Sequence, residues 1–567
     1  MRKKLLQAGC LLALLATSCS RERYAEVNTD PDLVQVGEMN PATFFPTAPI
    51  AIHANDFEAF YDIHRNLEYW IGAWVPIGGN GIIITRFKVP ISASNYPYRY
   101  ENLYTRESTG AGGAMRELRN IIDKMAPADA AKYQHMRAIS YIPAALAAFN
   151  VTDIMGSIAF SDAFKARYTT PPVFKPVYDT QEALYDTLNN QLKASVAALK
   201  LPAHADEKFL GASDLWFRSA NAAAEATNWI MAANSLRMRI AMRMLKRKPA
   251  AAKAIIDEVL ADNVGPINSR AANWNFKGGP NVANGGNYNL AAGISGQKAA
   301  VDFMYKTTDP RMRMIYAKVA LTKADFDTYK ANGTIAPGEV YQEYRGRYTS
   351  PDAVLENDKK FYFNYIFGST AYVSFINQGM FNNAVGGVGS FVNYPVITYA
   401  DVCFMRAELA ARGVTNEVAA DWYYKGIDAS AADYDEWGKD AKVPGYTAVT
   451  AGELTTYKTH PDIVYNPAKG IEQICIQQYF NFWRNPNEMW AVIKRTGFPS
   501  QTGVVFQAER IRSGGIEAVM PRRWSLFVPP VADLNYDNVK KAITDMQADP
   551  ELGDLTDITG RVWWDKK

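Results

Sequence analysis

The side chain whose setting most plainly calls for chemistry is the thiol of Cys19. It follows Ala16-Thr17-Ser18 at the end of an apolar run from Leu5 to Ala16, which itself follows the cations Arg2, Lys3 and Lys4. That order of charge, apolar run and small residues reads as a secretory signal. The residues before Cys19 resemble a lipobox, in which the cysteine thiol receives a diacylglycerol before cleavage, with Ala16 where leucine is usual. On this reading residues 1–18 are a signal peptide, Cys19 is the lipidated first residue, and 19–27 form anchor and linker. Several acyl chains, each burying CH₂ groups at about 0.8 kcal/mol apiece, hold a protein stably to a membrane. The apolar run falls short of the roughly 20 residues that a spanning helix needs, and no later stretch is expected to reach that length.

Catalytic and metal chemistry find no comparable setting. The sequence carries no HExxH, GxSxG, Walker loop or CxxC, and His53, His64, His135, His204 and His460 show no pair at metal-ligand spacing. No metal and no cofactor is expected. Gly78-Gly79-Asn80-Gly81 and Gly386-Gly387-Val388-Gly389 lack the strand-then-helix context of a nucleotide fold and read as loops. A glycosidase needs two carboxylates about 5–10 Å apart, an arrangement that 58 acidic residues leave open; the expectation is a protein that is not an enzyme. The formal charge of +3 falls to about zero once Arg2, Lys3 and Lys4 leave, so nothing asks for nucleic acid. Arg237, Arg239, Arg243, Lys246, Arg247 and Lys248 read as a solvated helix face whose last turn complements the helix dipole. Cys403 and Cys475 lie in apolar helical patterns and read as buried free thiols.

The elements behind these residues are mostly helical. Ile471, Ile474, Cys475, Gln478, Tyr479 and Phe482 recur at the spacing of one helix face. Asn485-Pro486-Asn487-Glu488 then supplies an N-cap, a first-turn proline and a carboxylate for a second helix that ends at Gly497. Further helices are predicted over 179–199, with Asp179 and Glu182 as a capping box, and over 222–248, 399–412, 416–429, 117–125 and 130–149, the last kinked at Pro143. Helix pairs in succession suggest a mostly α, tetratricopeptide-like scaffold in one domain, 28–567, with loop-rich segments near 74–104, 266–300 and 340–394 and a few short strands.

These segments also resemble, in order, one family, the SusD/RagB-like nutrient-binding outer-membrane lipoproteins. Tyr24 to Asp32 resembles its entry motif, and Asp153-Ile154-Met155-Gly156-Ser157-Ile158 with Ser161-Asp162-Ala163 resembles its turn, Ala159 standing where proline is usual. Trp229 to Arg243 is similar to the family helix "W-x-x-x-A-N-S-L-R-x-R-x-A-x-R". Asp309-Pro310-Arg311, Tyr399 to Gly413, Tyr424 to Ile427, Gln477 to Pro499, and Pro521-Arg522-Arg523 with Asn535 and Asn538 match further blocks.

The resemblance implies a helical scaffold carrying a loop-rich ligand face, docked as a lid on a SusC-like TonB-dependent transporter. It implies oligosaccharide or oligopeptide ligands, and glycan is favoured; Arg86, Arg345 and Arg347 would suit peptide carboxylates. By position it assigns ligand contact to Trp74, Asn80, Asn95, Tyr96 and Tyr98 in one loop and to Trp274, Phe276, Asn287 and Tyr288 in another, while Trp70 reads as core. Rings stack on sugar faces, and amide side chains both donate to and accept from hydroxyls. A surface glycoside hydrolase and a structural or adhesive lipoprotein are the alternatives from other classes.

Overall fold

The computed structural model describes residues 39–76, 97–106, 109–279, 282, 294–358 and 372–567. The chain is mostly α, as its periodicity predicts. The helices are α1 (Thr47–His53), α2 (Tyr98–Tyr104), α3 (Gly110–Asp123), α4 (Gln134–Ile139), α5 (Tyr141–Met155), α6 (Gln181–Leu199) and α7 (Ala222–Met244). They continue with α8 (Pro249–Ala261), α9 (Lys298–Lys306), α10 (Tyr399–Ala411), α11 (Ala419–Asp440), α12 (Gly470–Asn481), α13 (Pro486–Thr496) and α14 (Tyr536–Gln547). A π-helical stretch, Glu58–Leu67, runs on into Glu68–Trp70. Sequential helices pack as pairs, α6 on α7, α7 on α8, α10 on α11 and α12 on α13, in the manner of a tetratricopeptide-like array.

Local chemistry sets the ends and approaches of these helices. Pro143 has no N–H for the carbonyl of Ile139, and the predicted kinked helix accordingly breaks at Ser140 into α4 and α5. The cap of α6 is Thr180, whose side chain accepts from the Ala183 N–H. Asp179, expected there, instead accepts from the N–H groups of Phe160 and Ser161 at 2.9 and 2.8 Å, which holds the turn where Ala159 replaces the usual proline. Thr398 and Asp401 form a reciprocal capping box on α10. Gly426 of α11 lies so close to Phe404 that a Cβ there would stand 2.5 Å from the ring. Pro127–Met155 is, against expectation, long and apolar enough to cross a membrane; its first turn is exposed, and 89% of its most apolar 18 residues are buried inside this fold.

The arginine cluster of α7 corrects the sequence reading. Lys246 and Arg247 are exposed, but Arg237, Arg239 and Arg243 are only 3–4 % exposed. Residues 239 and 243 share one helix face and converge on a single carboxylate. Arg243 donates to Glu488 at 2.8 Å and to Asp153 at 2.9 Å, and Arg239 lies 3.6 Å from Glu488 while donating to Asp401 at 3.0 Å and to the carbonyl of Val396 at 2.7 Å. The Tyr185 hydroxyl donates to Asp153 at 2.7 Å. The network therefore joins α5, α6, α7, α10 and α13. Burial opposes ionisation of Glu488, but the two guanidinium groups outweigh it and hold the carboxyl below its usual range. Arg237, on the other face, donates to Asn189 at 3.0 Å and to Glu258 at 2.5 Å.

A second buried pair explains the Asp309-Pro310-Arg311 motif. Arg311 donates twice to Asp309, at 2.9 and 2.6 Å, and reaches Ser430 of α11, Tyr457 and Gln477 of α12 at 3.0–3.1 Å. Cys403 and Cys475 are free and buried, with burial pushing both thiols up to about 12.

Strands are few and short. They are β1 (Trp74–Pro76), β2 (Trp274–Gly278), β3 (Ile294–Gly296), β4 (Val392–Ile397), β5 (Arg512–Ser513) and β6 (Ile516–Glu517), paired antiparallel as β1 with β3, β2 with β4 and β5 with β6.

Removing one partner of a buried, hydrogen-bonded charge group typically costs about 3–5 kcal/mol, whereas replacing the whole group by apolar side chains often costs little. Glu488→Leu is therefore expected to lose about that much in a urea titration. Glu488→Leu combined with Arg243→Met is expected to recover part of the loss; a double variant no more stable than the single one would count against the shared-carboxylate account.

Candidate ligand-binding face

The loop-rich layer is built around a small ladder. β1 and β3 set Trp74 opposite Gly296 and Pro76 opposite Ile294. On the other edge of β3, Ser295 bridges Phe375, the Gly296 N–H donates to the Ser374 carbonyl at 2.9 Å, and the Ile376 N–H donates to that of Ile294 at 3.1 Å. Pro76 and Ile294 are register partners, so segments 77–96 and 283–293 attach at the same end of this ladder.

Segment 77–96 rejoins the described chain at α2, whose first residue is Tyr98. The ring of Tyr98 lies 5.5 Å from Phe57 and 5.6 Å from Tyr61, tilted 23° and 28°, and Phe57 and Tyr61 are themselves stacked at 6.1 Å and 5°. Three near-parallel rings thus share one patch. Phe57 is 42 % exposed, and Tyr61 and Tyr98 are half-buried.

Polar groups beneath the rings fix their positions. The Tyr98 N–H donates to Asp62 at 2.6 Å, and Asn55 donates to the Tyr98 carbonyl at 3.0 Å and to Asn102 at 2.8 Å. Arg99 donates to Glu58 at 2.8 Å, Asn102 donates to the other oxygen of Glu58 at 2.7 Å, and Arg99 also bonds to Asn487 of α13. The first turn of α2 is clamped to the π-helical stretch on one side and to α13 on the other. Burial, aided by the nearby Glu58 charge, pushes the Asp62 carboxyl up to about 8.

Of the residues assigned to ligand contact, Tyr98 is the one described with part of its ring at the surface. Trp74 and Trp274 are fully buried and Phe276 nearly so, which leaves no open face for stacking and corrects their assignment. Trp74 packs on His64 and Phe381, Trp274 on Trp216 and Trp229, and Phe276 stacks on His53 at 5.1 Å. The cause is strand alternation: residues 274, 276 and 278 face the core while Asn275 and Lys277 face outward. Trp70 is buried, as expected. Asn80, Asn95, Tyr96, Asn287 and Tyr288 lie outside the described residues, as do Cys19, Arg86 and the signal segment. The sequence reading missed Phe57 and Tyr61, whose i, i+4 spacing was the available signal, and it missed Asp62, Glu58 and Arg99 beneath them. Arg347 is fully buried. Among the described residues no three His, Cys, Asp or Glu side chains cluster as a metal site.

Over residues 84–525 the chain matches the SusD-like family, described as starch-binding and associating with the outer membrane. That span is more than half of the sequence, and the chain belongs to the SusD-like family. No curated protein matches it. Similar solved structures include a chitin-binding protein (20% identity, TM-score 0.68) and a SusD-like protein from Bacteroidetes AC2a (23% identity, TM-score 0.65); in each case 93% of this chain and 100% of the other are covered. A chitin-binding SusD homolog from Flavobacterium johnsoniae aligns at 19% identity and TM-score 0.63, over 93% of this chain and 98% of that one. At such identities these structures share the fold.

The buried acid gives a signed pH dependence. The folded state keeps on Asp62 a proton that the unfolded chain releases near 3.8, so stability is lost as pH rises from there to about 8. Asp62→Asn is expected to gain on the parent chain across that window, read as a growing difference in Tm between pH 4 and 8. A difference that stays flat would show that Asp62 ionises normally.

Proposed function

We propose that this SusD-like protein is lipid-anchored through Cys19 at the outer membrane and binds oligosaccharides on the face around Tyr98. Residues 28–567 act as one binding unit that passes its ligand, as a lid, to a SusC-like TonB-dependent transporter. The observation that carries the ligand class is the match to a family described as starch-binding; two of the similar structures, described as chitin-binding, support it. The ring patch of Phe57, Tyr61 and Tyr98 supports the placement, because near-parallel aromatic faces accept the C–H faces of sugar rings, and the amides of Asn80 and Asn95 belong to the adjoining segment. Burial of Arg347 removes one of the cations that would favour a peptide carboxylate. Binding without chemical change is the proposed role.

Two measurements test this reading. Calorimetric titration with maltoheptaose and with chitohexaose is expected to give binding to at least one, weakened tenfold or more by Tyr98→Ala, since loss of one stacking ring is worth roughly 0.5–1.5 kcal/mol beyond its buried area. Binding of neither glycan, or release of shorter products from the mixture, would overturn it. Detergent extraction through a tag is expected to bring down a TonB-dependent barrel, and Cys19→Ala is expected to move the chain from the detergent phase to the aqueous phase. A chain recovered alone and empty would favour a structural or adhesive role.

A further inference from the structure

A cleft among the described residues opens beside the β1–β3 ladder and is lined by none of the three rings of the Tyr98 patch. Trp70 to Gly72 lead into Trp74, and Gln297 follows Gly296, so the cleft opens at the Trp74–Gly296 end. Segments 77–96 and 283–293 attach at the Pro76–Ile294 end. Its volume is about 440 Å³, within the range of about 300–1,000 Å³ usual for small-molecule sites.

Its walls are fixed from several elements. The Tyr479 hydroxyl of α12 bonds to the carbonyls of Ile71 and Gly72 at 3.1 and 2.8 Å, and Glu472 accepts from the Val505 N–H at 2.8 Å. Glu509 accepts from the N–H groups of Thr349 and Ser350 at 2.9 and 2.8 Å and from Gln297, whose amide oxygen in turn caps α9. These bonds tie the walls of the cavity to one another.

The lining has a definite character. Trp70, Ile493, Phe506 and Met520 are apolar members of the lining, and Ser500, Gln501 and Thr502 are polar ones. Its two charged groups already hold partners: Glu509 the three neutral donors just named, and Arg522 the Asp565 carboxylate and the carbonyl of Lys494. An anion entering would lose hydration and find its one nearby cation, Arg522, already paired. A neutral ligand with an apolar face and a hydroxylated edge loses little and suits both kinds of lining.

We infer that this cleft is a second saccharide site, taking one or two neutral sugar rings, separate from the extended face around Tyr98. The inference rests on the carbohydrate reading of the protein and adds a site to it. It implies that one chain holds a glycan at two points, so that affinity rises with length beyond what either point supplies alone.

The test is hydrogen–deuterium exchange of the full chain with maltose, N,N′-diacetylchitobiose, maltoheptaose and chitohexaose as probes. At least one disaccharide is expected to slow exchange of backbone amides within 497–520, and Ala518→Phe, which places a ring in the cleft, is expected to remove that protection and weaken the disaccharide tenfold or more. Gln501→Ala serves as a second variant that leaves the apolar lining intact and is expected to weaken it several-fold. Tyr98→Ala should leave the 497–520 protection unchanged. If the longer glycans bind and depend on Tyr98 while 497–520 never responds, the second site is wrong and the carbohydrate reading stands. If no glycan slows exchange anywhere, both fall.

Discussion

Glu488 is one carboxylate with two arginines on it, and each arginine is also held by a second buried acid. Arg239 and Arg243 sit one helical turn apart on α7, deep enough that water cannot solvate them. Their remaining donors go to Asp153, Asp401 and the Val396 carbonyl, each on a different element. Such a group adds little net stability compared with an apolar core, but it penalises any arrangement of helices that leaves one member unpaired. Packing order among similar amphipathic helices is thereby specified. The Asp309–Arg311 pair does the same for α11 and α12.

The proposed ligand face hangs on this centre through one peptide unit. Asn487, next to Glu488 in the first turn of α13, accepts from Arg99 of α2, and α2 carries Tyr98. Glu58 and Asp62 complete the clamp from the π-helical stretch, which brings Tyr61 beside Tyr98. The rings that meet a ligand on the proposed reading are set by the same turn that sets the core, so the face is preorganised by the scaffold.

Periodicity made the helices legible, because apolar residues at helical spacing need only a core to pack on. It could not tell a buried cation from a solvated one: Arg239 and Arg243 look like an exposed stripe until Asp153, 90 residues before Arg243, and Glu488, 245 residues after it, are seen to meet there. The same limit applies to the aromatics. Trp74 and Trp274 were in loop-rich segments and proved to be core, though the alternation Trp274-Asn275-Phe276-Lys277 already carried the inward and outward pattern of a strand. Phe57 and Tyr61 lie in a helical stretch, where rings one turn apart are as readily core as surface. The cleft beside Trp70 had no sequence signal at all, since its lining comes from five separated stretches of chain.

Cys403 and Cys475 sit inside α10 and α12, their thiols held far above the pH at which a thiolate forms. The described fold is closed by packing and ion pairs alone, with no cross-link to make or break. Neither an oxidising nor a reducing compartment therefore changes what holds it together, and neither sulfur offers a nucleophile to a wandering disulfide. For a chain proposed to work at the outer membrane, that is a form of chemical indifference built from burial.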